Sequence, residues 1–296
     1  MHWTNDQLRG LLKRLVADGG PSPDEYVVLQ SALQEIWSAT DHQHPLRDAI
    51  INELAPTFAG TMQGFAYRKP RGYAGDFEMI ERIYEQWQSP REELRRWDHF
   101  FHAQAAARAV RNRKGYFHRV LDSAEYSETQ PLTVLNVGSG PCSDVREYFQ
   151  GKRDASVVID CVDVDAAAVA YAKSLCREFE DRVTIHQCNT FRFRPTRTYD
   201  LIWSGGMFDY FDARLFVVAL RRLMSWLTDS GRVVIGNFSD HNATRPYMEL
   251  VGQWFLHHRS AEELEELALR AGAAASSVRV EAEVEGVNLF LHASPA

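Results

Sequence analysis

A chain of 296 residues, 45% apolar and 25% charged, is long enough to bury one substantial core with an accessory layer around it. Its net charge of −7 excludes a general affinity for nucleic acid phosphates or anionic lipid, while leaving room for a local basic patch. The four cysteines, Cys142, Cys161, Cys176 and Cys188, have no close paired spacing, which excludes a disulfide framework and points to reduced thiols in the cytoplasm.

Met1 to Asp18 alternates charged and apolar residues, unlike a secretory signal, and no apolar run approaches a membrane span, so no membrane insertion is expected. Residues 1 to 125 contain apolar residues at helical spacing and almost no strand signal, which predicts an α-helical N-terminal region. A first helix runs from about Thr4 to Ala17 and stops at Gly19-Gly20. Ser22-Pro23-Asp24-Glu25 opens the next with a capping box, and Ser89-Pro90-Arg91-Glu92 repeats the device. Pro45 to Gly64 is expected to be a helix bent near Pro56, and Pro90 to Asp122 one long helix.

Between these lies Tyr67-Arg68-Lys69-Pro70-Arg71-Gly72-Tyr73-Ala74-Gly75-Asp76, whose cations, tyrosines and glycines are unusual for a plain connector. Asp76 is suited to cap the helix that follows. Arg108, Arg111, Arg113, Lys114 and Arg119 crowd the far half of the next helix, where most fit a solvated face. No aromatic platform accompanies them, which argues against nucleic acid.

From Leu132 the pattern changes to alternating buried strands and helices. Strands are predicted over Leu132 to Val137, Val157 to Val162, Val183 to Ile185, Tyr199 to Ser204 and Arg232 to Phe238. Helices are predicted at Ala166 to Cys176, Ala213 to Leu227 and Ala261 to Ala271, and a terminal hairpin at Val278 to Glu283 and Val287 to His292. The expected fold is α/β: a doubly wound seven-stranded sheet over 126–296 with a terminal antiparallel hairpin, preceded by a helical lid and substrate region over 1–125.

The stretch Asn136-Val137-Gly138-Ser139-Gly140-Pro141 organises this half, because a buried strand breaks into two glycines before a helix start. A side chain at either glycine would block a ligand from lying against the backbone, and the freed amides of the helix face that ligand. The next strand ends in Asp163-Val164-Asp165. A carboxylate at that tip can accept both hydroxyls of a ribose, the role assigned to Asp163, while Asp165 caps the following helix. A dinucleotide fingerprint would need a third glycine where Ser143 stands.

The pattern Asn136-Val-Gly-Ser-Gly-Pro therefore resembles the first motif of class I S-adenosylmethionine-dependent methyltransferases, and the closing antiparallel strand agrees with it. The resemblance implies cofactor contacts at Asn136, Gly138, Ser139, Gly140, Asp163 and Val164, at Asn189 and Thr190 beside the adenine, and at Ser204 and Gly205 near the donor sulfur. Arg113 is the arginine suited to the donor's methionyl carboxylate, which a guanidinium grips with two bonds. Three stretches, Arg68 to Glu78, Ala109 to Arg113, and Gly236 to Phe238 with Asn242 to Glu249, look like bacterial methyltransferases of 3-hydroxypalmitic acid methyl ester biosynthesis. That likeness extends through Trp254-Phe255-Leu256-His257-His258-Arg259-Ser260. It implies transfer of a methyl group to an oxygen of a small or lipid-like molecule, a carboxylate or a hydroxyl.

A carboxylate acceptor is nucleophilic at neutral pH and needs only orientation, for which Arg68, Arg71, Arg245, Trp254 and Arg259 are candidates, with Tyr73. An acceptor hydroxyl or ammonium needs a base, for which His241 or Asp209 is suited, with Tyr210 walling the methyl group. The pairs His42 and His44, and His257 and His258, lack the further ligands that a metal requires. Four alternatives stay open: N-methylation of a metabolite, an RNA methyltransferase, a non-catalytic donor-binding partner protein, and an NAD-dependent oxidoreductase. The oligomeric state is open as well, a homodimer included.

Overall fold

The computed structural model describes residues 3–39, 45–124 and 130–296. In chain order its helices are α1 (Asn5–Ala17), α2 (Tyr26–Ala39), α3 (Pro45–Leu54), α4 (Met62–Arg68), α5 (Phe77–Tyr84), α6 (Arg95–His102), α7 (Ala105–Asp122), α8 (Ser143–Gly151), α9 (Ala166–Leu175), α10 (Ala213–Met224), α11 (Arg245–Leu250) and α12 (Ala261–Ala271). Its strands are β1 (Leu132–Val137), β2 (Val157–Asp163), β3 (Val183–Gln187), β4 (Tyr199–Ser204), β5 (Leu227–Phe238), β6 (Arg279–Ala282) and β7 (Asn288–Ala293). No described helix is long and apolar enough to cross a membrane. The chain divides into two compact units, one built from residues up to Arg108 with Ala243–Phe255, the other from Ala109–Asn242 and Leu256–Ala296. The boundary expected at residue 125 falls in 125–129, and His42 and His44 in 40–44, both outside the described residues.

The first unit is helical. Thr4 caps α1, its hydroxyl accepting from Gln7 N at 3.3 Å, and Gly19 and Gly20 end the helix with φ of +75° and +127°. At Ser22 the amide and hydroxyl both donate to Glu25 Oε2 at 2.8 Å, opening a short 3-10 turn ahead of α2. The single bent helix expected over Pro45 to Gly64 is instead broken. Pro56 lacks an amide proton and its ring obstructs the preceding turn, so α3 passes into a 3-10 segment, Ala55–Gly60, before α4 begins.

Asp76 caps α5, accepting from Met79 N at 2.8 Å, and Phe77, Met79, Ile80 and Ile83 line its buried face. Burying side chains of this size contributes about 1.5–3 kcal/mol each.

Two local expectations fail here for identifiable reasons. The capping box at Ser89 to Glu92 does not form, because the buried Asp98 carboxylate accepts from Ser89 N at 2.8 Å and Met62 N at 2.7 Å, drawing the segment toward α6. The long helix from Pro90 to Asp122 is interrupted at Ala103 and Gln104. Gln104 turns its side chain back onto the carbonyl of Phe100 at 2.8 Å, the acceptor its own amide would use in a continuous helix, and that amide moves to Phe101 O. Gln30 fixes the arrangement by donating to Gln104 Oε1 at 2.9 Å.

The second unit is a seven-stranded sheet in the order β3-β2-β1-β4-β5-β7-β6. Strands β1 to β5 run parallel, and β7 lies antiparallel between β5 and β6. Side chains of alternate residues enter two cores. Leu135, Val137, Ile202, Val233, Ile235, Leu289 and Leu291 pack beneath α10 and α12. Leu132, Val134, Ile159, Cys161, Trp203, Val234 and Phe290 pack on the other face against Tyr116, Phe117, Val120 and Leu121 of α7 and residues of α8 and α9. The later half of α7 is thus a layer helix of the sheet. Strand order reverses between β1 and β4, and in open parallel sheets that reversal leaves a crevice beyond the carboxyl ends of the strands.

Candidate active site at the carboxyl edge of the sheet

The turn after β1 is left-handed at three positions, with φ of +63° at Gly138, +56° at Gly140 and +59° at Cys142. Its amides at Gly138 and Ser139 both donate to Val162 O, at 2.9 and 3.2 Å, which anchors the turn to β2. The two glycines are small for different reasons. At Gly138 a Cβ would stand 2.9 Å from Met207 Cβ, so a protein side chain by itself already excludes one. A Cβ at Gly140 would meet nothing within 4 Å, which leaves open space over the turn.

Asp163, at the tip of β2, faces this turn. Its Oδ2 accepts from Gly140 N at 2.8 Å and its Oδ1 from Asp165 N at 2.9 Å. Burial raises its pKa above the ordinary carboxylate value, opposed by those amide hydrogen bonds. The Val164 amide adds a third bond to this carboxylate, which still leaves a lone pair for a donor from outside the chain. Asp165 caps α9 as expected, accepting from Ala167 N at 2.8 Å. Val164 between them is exposed and offers an apolar surface.

Three buried polar atoms at this edge have no hydrogen-bond partner in the protein: Asn136 Nδ2 at the end of β1, Ser139 Oγ in the turn and Ser204 Oγ at the end of β4. Buried polar groups are almost always satisfied, so these orphans at the strand ends are candidates for a bound partner; alternation along the strands puts Asn136 on the α7 face of the sheet and Ser204 on the α10 face. The donor set, two hydroxyls, a primary amide and a carboxylate beside an open glycine turn, suits the polar periphery of a nucleoside.

After β3, Asn189 is exposed, and its Oδ1 accepts from Phe191 N at 2.9 Å as a turn cap. Thr190 Oγ1 lies 3.7 Å from Met207 Sδ. Met207 therefore touches both Gly138 and Thr190, a contact that sequence reasoning missed because its position in a loop after β4 carries no periodic signal.

Beyond β4, the space left by Gly205 and Gly206 is taken by Arg113 from α7. Arg113 Nη1 donates to Gly205 O at 3.3 Å, and a Cβ at Gly206 would come within 2.9 Å of the same nitrogen. The carboxyl of Asp144 in the first turn of α8 is half-buried with Arg113 among its charged neighbours, and desolvation raises its pKa. Asp144 was not expected here. Its place four residues past Gly140, in the first turn of a helix, was the available signal.

Asp209 lies in the 3-10 turn Phe208–Tyr210 and is 2% exposed. Its Oδ1 accepts from Phe238 N at 2.7 Å, and burial pushes its pKa up to about 7 against the pull of that amide, Arg113 and Arg259. Its neighbour Tyr210 is exposed. His241 presents a fully solvated ring 3.8 Å from Asp240.

Arg259, expected to contact an acceptor, is instead an internal clamp. It is 2% exposed, and its guanidinium donates to Asn237 Oδ1 at 2.6 Å, to Phe208 O at 3.3 Å and to Phe211 O. These bonds tie the segment after β4 to the end of β5.

The remaining candidates belong to the helical unit. Arg68 and Tyr73 are exposed, and Arg71 pairs with Glu78 at 3.4 Å and lies over the Phe77 ring. Arg245 donates to the buried Glu249 at 2.7 Å and stands over Trp37, whose indole donates to the same carboxylate at 2.8 Å. Trp254 is buried. Among the described residues, no group of three or more His, Cys, Asp or Glu side chains is placed to hold a metal ion.

No protein-family model matches this sequence, and no curated protein matches it either. Solved structures do. A possible exported protein from Bordetella parapertussis is 18% identical with a TM-score of 0.66, covering 100% of this chain and 98% of that one. The mitomycin 7-O-methyltransferase is 17% identical with a TM-score of 0.53, over 98% of this chain and 84% of its own. Magnesium protoporphyrin IX methyltransferase from Synechocystis, solved with S-adenosylhomocysteine bound, is 12% identical with a TM-score of 0.54, over 79% of this chain and 100% of its own. The fold is thus the α/β fold of the class I methyltransferases, carried here with a helical N-terminal region.

Proposed function

We propose that this protein is an S-adenosylmethionine-dependent methyltransferase that methylates an oxygen, a carboxylate or hydroxyl, of a small lipid-like or secondary metabolite in the cytoplasm. The observation that carries the reading is the set of orphaned atoms on Asn136, Ser139 and Ser204 beside the open turn at Gly140 and the Asp163 carboxylate. The fold shared with solved methyltransferases supports it, as does the resemblance of the Arg68 to Glu78 and Asn242 to Glu249 stretches to 3-hydroxypalmitic acid methyl ester biosynthesis proteins.

When bound, the donor supplies an electrophilic methyl group on a sulfonium. The chain's own residues then have three tasks. Asp163 accepts hydrogen bonds from the sugar hydroxyls, with Val164 as an apolar surface beside it. Asn136, Ser139 and Ser204 complete the polar shell, and the glycine turn lets the main chain come close. Arg113 offers its guanidinium to the amino-acid tail. Holding reactants in line accounts for about 7–11 kcal/mol of barrier lowering in well-oriented cases.

A carboxylate acceptor fits the weak base inventory of this edge. His241 is solvated, and Asp209 is buried with its carboxyl bound to the Phe238 amide, so neither is an evident proton acceptor for a bound hydroxyl. An acceptor that is already anionic at pH 7 needs neither. The exposed cations Arg68 and Arg71, with Tyr73, are the residues we assign to orienting it.

Titration calorimetry tests the donor site. Saturable binding of S-adenosylhomocysteine with none of NADH is the expected result, and binding of NADH alone would overturn the reading in favour of an oxidoreductase. Incubation with cell extract and methyl-labelled donor should then yield a labelled organic-soluble product whose label is released by mild alkali, as an ester requires.

A further inference from the structure

Met207 lies at the carboxyl edge of the sheet, in the loop between β4 and the 3-10 turn Phe208–Tyr210. The chain has six methionines. Four are closed off in the cores, Met62 at 0% exposed, Met79 at 1%, Met224 at 4% and Met248 at 6%. Among the described methionines, Met207 is the one that is half-buried, so its thioether is the one that a small polar reagent reaches from solvent.

Its side chain is held at two points. A Cβ at Gly138 would come within 2.9 Å of Met207 Cβ and 3.5 Å of both Cγ and Sδ, so the side chain lies flat along the β1 turn. On its other side Thr190 Oγ1 is 3.7 Å from Met207 Sδ, the long, weak hydrogen bond that a thioether accepts. The sulfur is thus wedged between the loops that follow β1 and β3. The β1 turn has little freedom to retreat, because the amides of Gly138 and Ser139 are tied to Val162 O and that of Gly140 to Asp163. Ser139, next to Gly138, carries one of the orphaned hydroxyls of this edge.

We propose that Met207 is a modification site: a hydroperoxide oxidises its thioether to the sulfoxide, and the oxidised chain binds the methyl donor weakly. The inference rests on the donor-site reading and adds to it a means of closing that site. A sulfur lone pair attacks one oxygen of hydrogen peroxide, and the O–O bond breaks as the S–O bond forms. The proton on the attacked oxygen passes to the departing hydroxide, which leaves as water. The sulfur gives up two electrons and the peroxide takes them, so no further reactant is required. Sulfoxides of this kind are open to thiol-dependent enzymatic reduction, which makes the change reversible.

The loss of affinity follows from where the new oxygen has room. Toward Gly138 the packing is already tight, and an oxygen on that side pushes the turn away from β2. Toward Thr190 the sulfoxide oxygen, a far stronger acceptor than the thioether, captures the hydroxyl expected beside the adenine. On the remaining side it sets a polar group into the crevice where the apolar side chain stood. Each arrangement disturbs the donor pocket and leaves the two cores of the sheet untouched.

The test uses the full chain carrying Cys188→Ser, because Cys188 is the one cysteine that is not buried and would itself react with peroxide. After graded treatment with hydrogen peroxide, peptide mapping should place one added oxygen on Met207 before any on Met62, Met79, Met224 or Met248. Titration calorimetry with S-adenosylhomocysteine should show high-affinity sites lost in step with the fraction of Met207 oxidised, Kd in the oxidised chain rising roughly tenfold or more. Met207→Leu, close in volume and without a sulfur, should keep after peroxide whatever affinity it had before. An unchanged Kd at full oxidation of Met207, an equal loss in Met207→Leu, or oxygen entering a buried methionine first would overturn the inference while leaving the donor site standing. No binding of S-adenosylhomocysteine by the untreated chain would instead overturn the donor site beneath it. The graded oxidation of the chain with Met207 in place decides the question even where Met207→Leu does not fold.

Discussion

Gly140→Ala separates the turn's role in folding from its role in binding. The new Cβ meets nothing within 4 Å, so its cost to stability is confined to the left-handed backbone at φ +56°. That conformation costs a non-glycine residue about 1–2 kcal/mol, partly offset by the smaller freedom of alanine in the unfolded chain, worth roughly 0.4–1 kcal/mol. The net loss, about 1 kcal/mol, corresponds to a fall in melting temperature of only a few degrees, on the order of 2 °C in a chain this long. The same methyl group projects into the open space beside Asp163, where the donor's sugar is proposed to lie. Affinity for S-adenosylhomocysteine should therefore fall at least tenfold, about 1.4 kcal/mol or more.

Gly138→Ala makes the contrast. Its Cβ would lie 2.9 Å from Met207 Cβ, so it adds an overpacking cost of about 1–3 kcal/mol to the same backbone strain. Its stability should fall further than that of Gly140→Ala in the same thermal melt. Wild-type affinity in a folded Gly140→Ala would refute the reasoning, because it would show that nothing bound approaches the turn.

Three further outcomes follow from the sheet unit. Glu283 is buried and accepts four hydrogen bonds, from Val287 N, Asn288 N, Glu285 N and Asn112 Nδ2, so Glu283→Ala should lose roughly 3 kcal/mol in urea unfolding; a loss within about 0.5 kcal/mol would contradict that network. Arg259→Met should lower stability by a comparable amount, roughly 3 kcal/mol, whereas impaired acceptor binding at an unchanged melting temperature would return Arg259 to the acceptor pocket. His292 accepts from Arg279 at Nδ1 and so donates from Nε2 to Tyr116 Oη, whose proton goes to Glu281; burial, with Arg279 beside it, holds its pKa down to about 4. A depressed folded value means that stability is lost as pH falls from 6.5 toward 4, so His292→Gln should melt with a weaker pH dependence across that window, and an unchanged dependence would show that another group carries it.

What the sequence disclosed and what it concealed divide along the range of the interactions. The β1 turn, the Asp163 tip and the caps at Asp76, Asp165 and Ser260 were legible because each depends on a few neighbouring residues. The five parallel strands were legible from their apolar runs, though β5 begins at Leu227, five residues before the expected start. The interruption at Gln104 was not legible, because it depends on Gln30, 74 positions away. Nor were the tasks of Arg259, Met207 and Gly206. A conspicuous arginine in a motif is equally compatible with an acceptor contact and a buried clamp until its neighbours are in place. Gly205-Gly206 also leave the gap through which Arg113 reaches the end of β4, which no sequence signal announced.

A crystal structure with S-adenosylhomocysteine tests the central claim most directly. The account predicts ribose hydroxyls at hydrogen-bonding distance, about 2.6–3.2 Å, from the Asp163 carboxylate, with partners supplied to Asn136, Ser139 and Ser204. A nucleoside bound elsewhere on the chain, with those three atoms still unpaired, would contradict it.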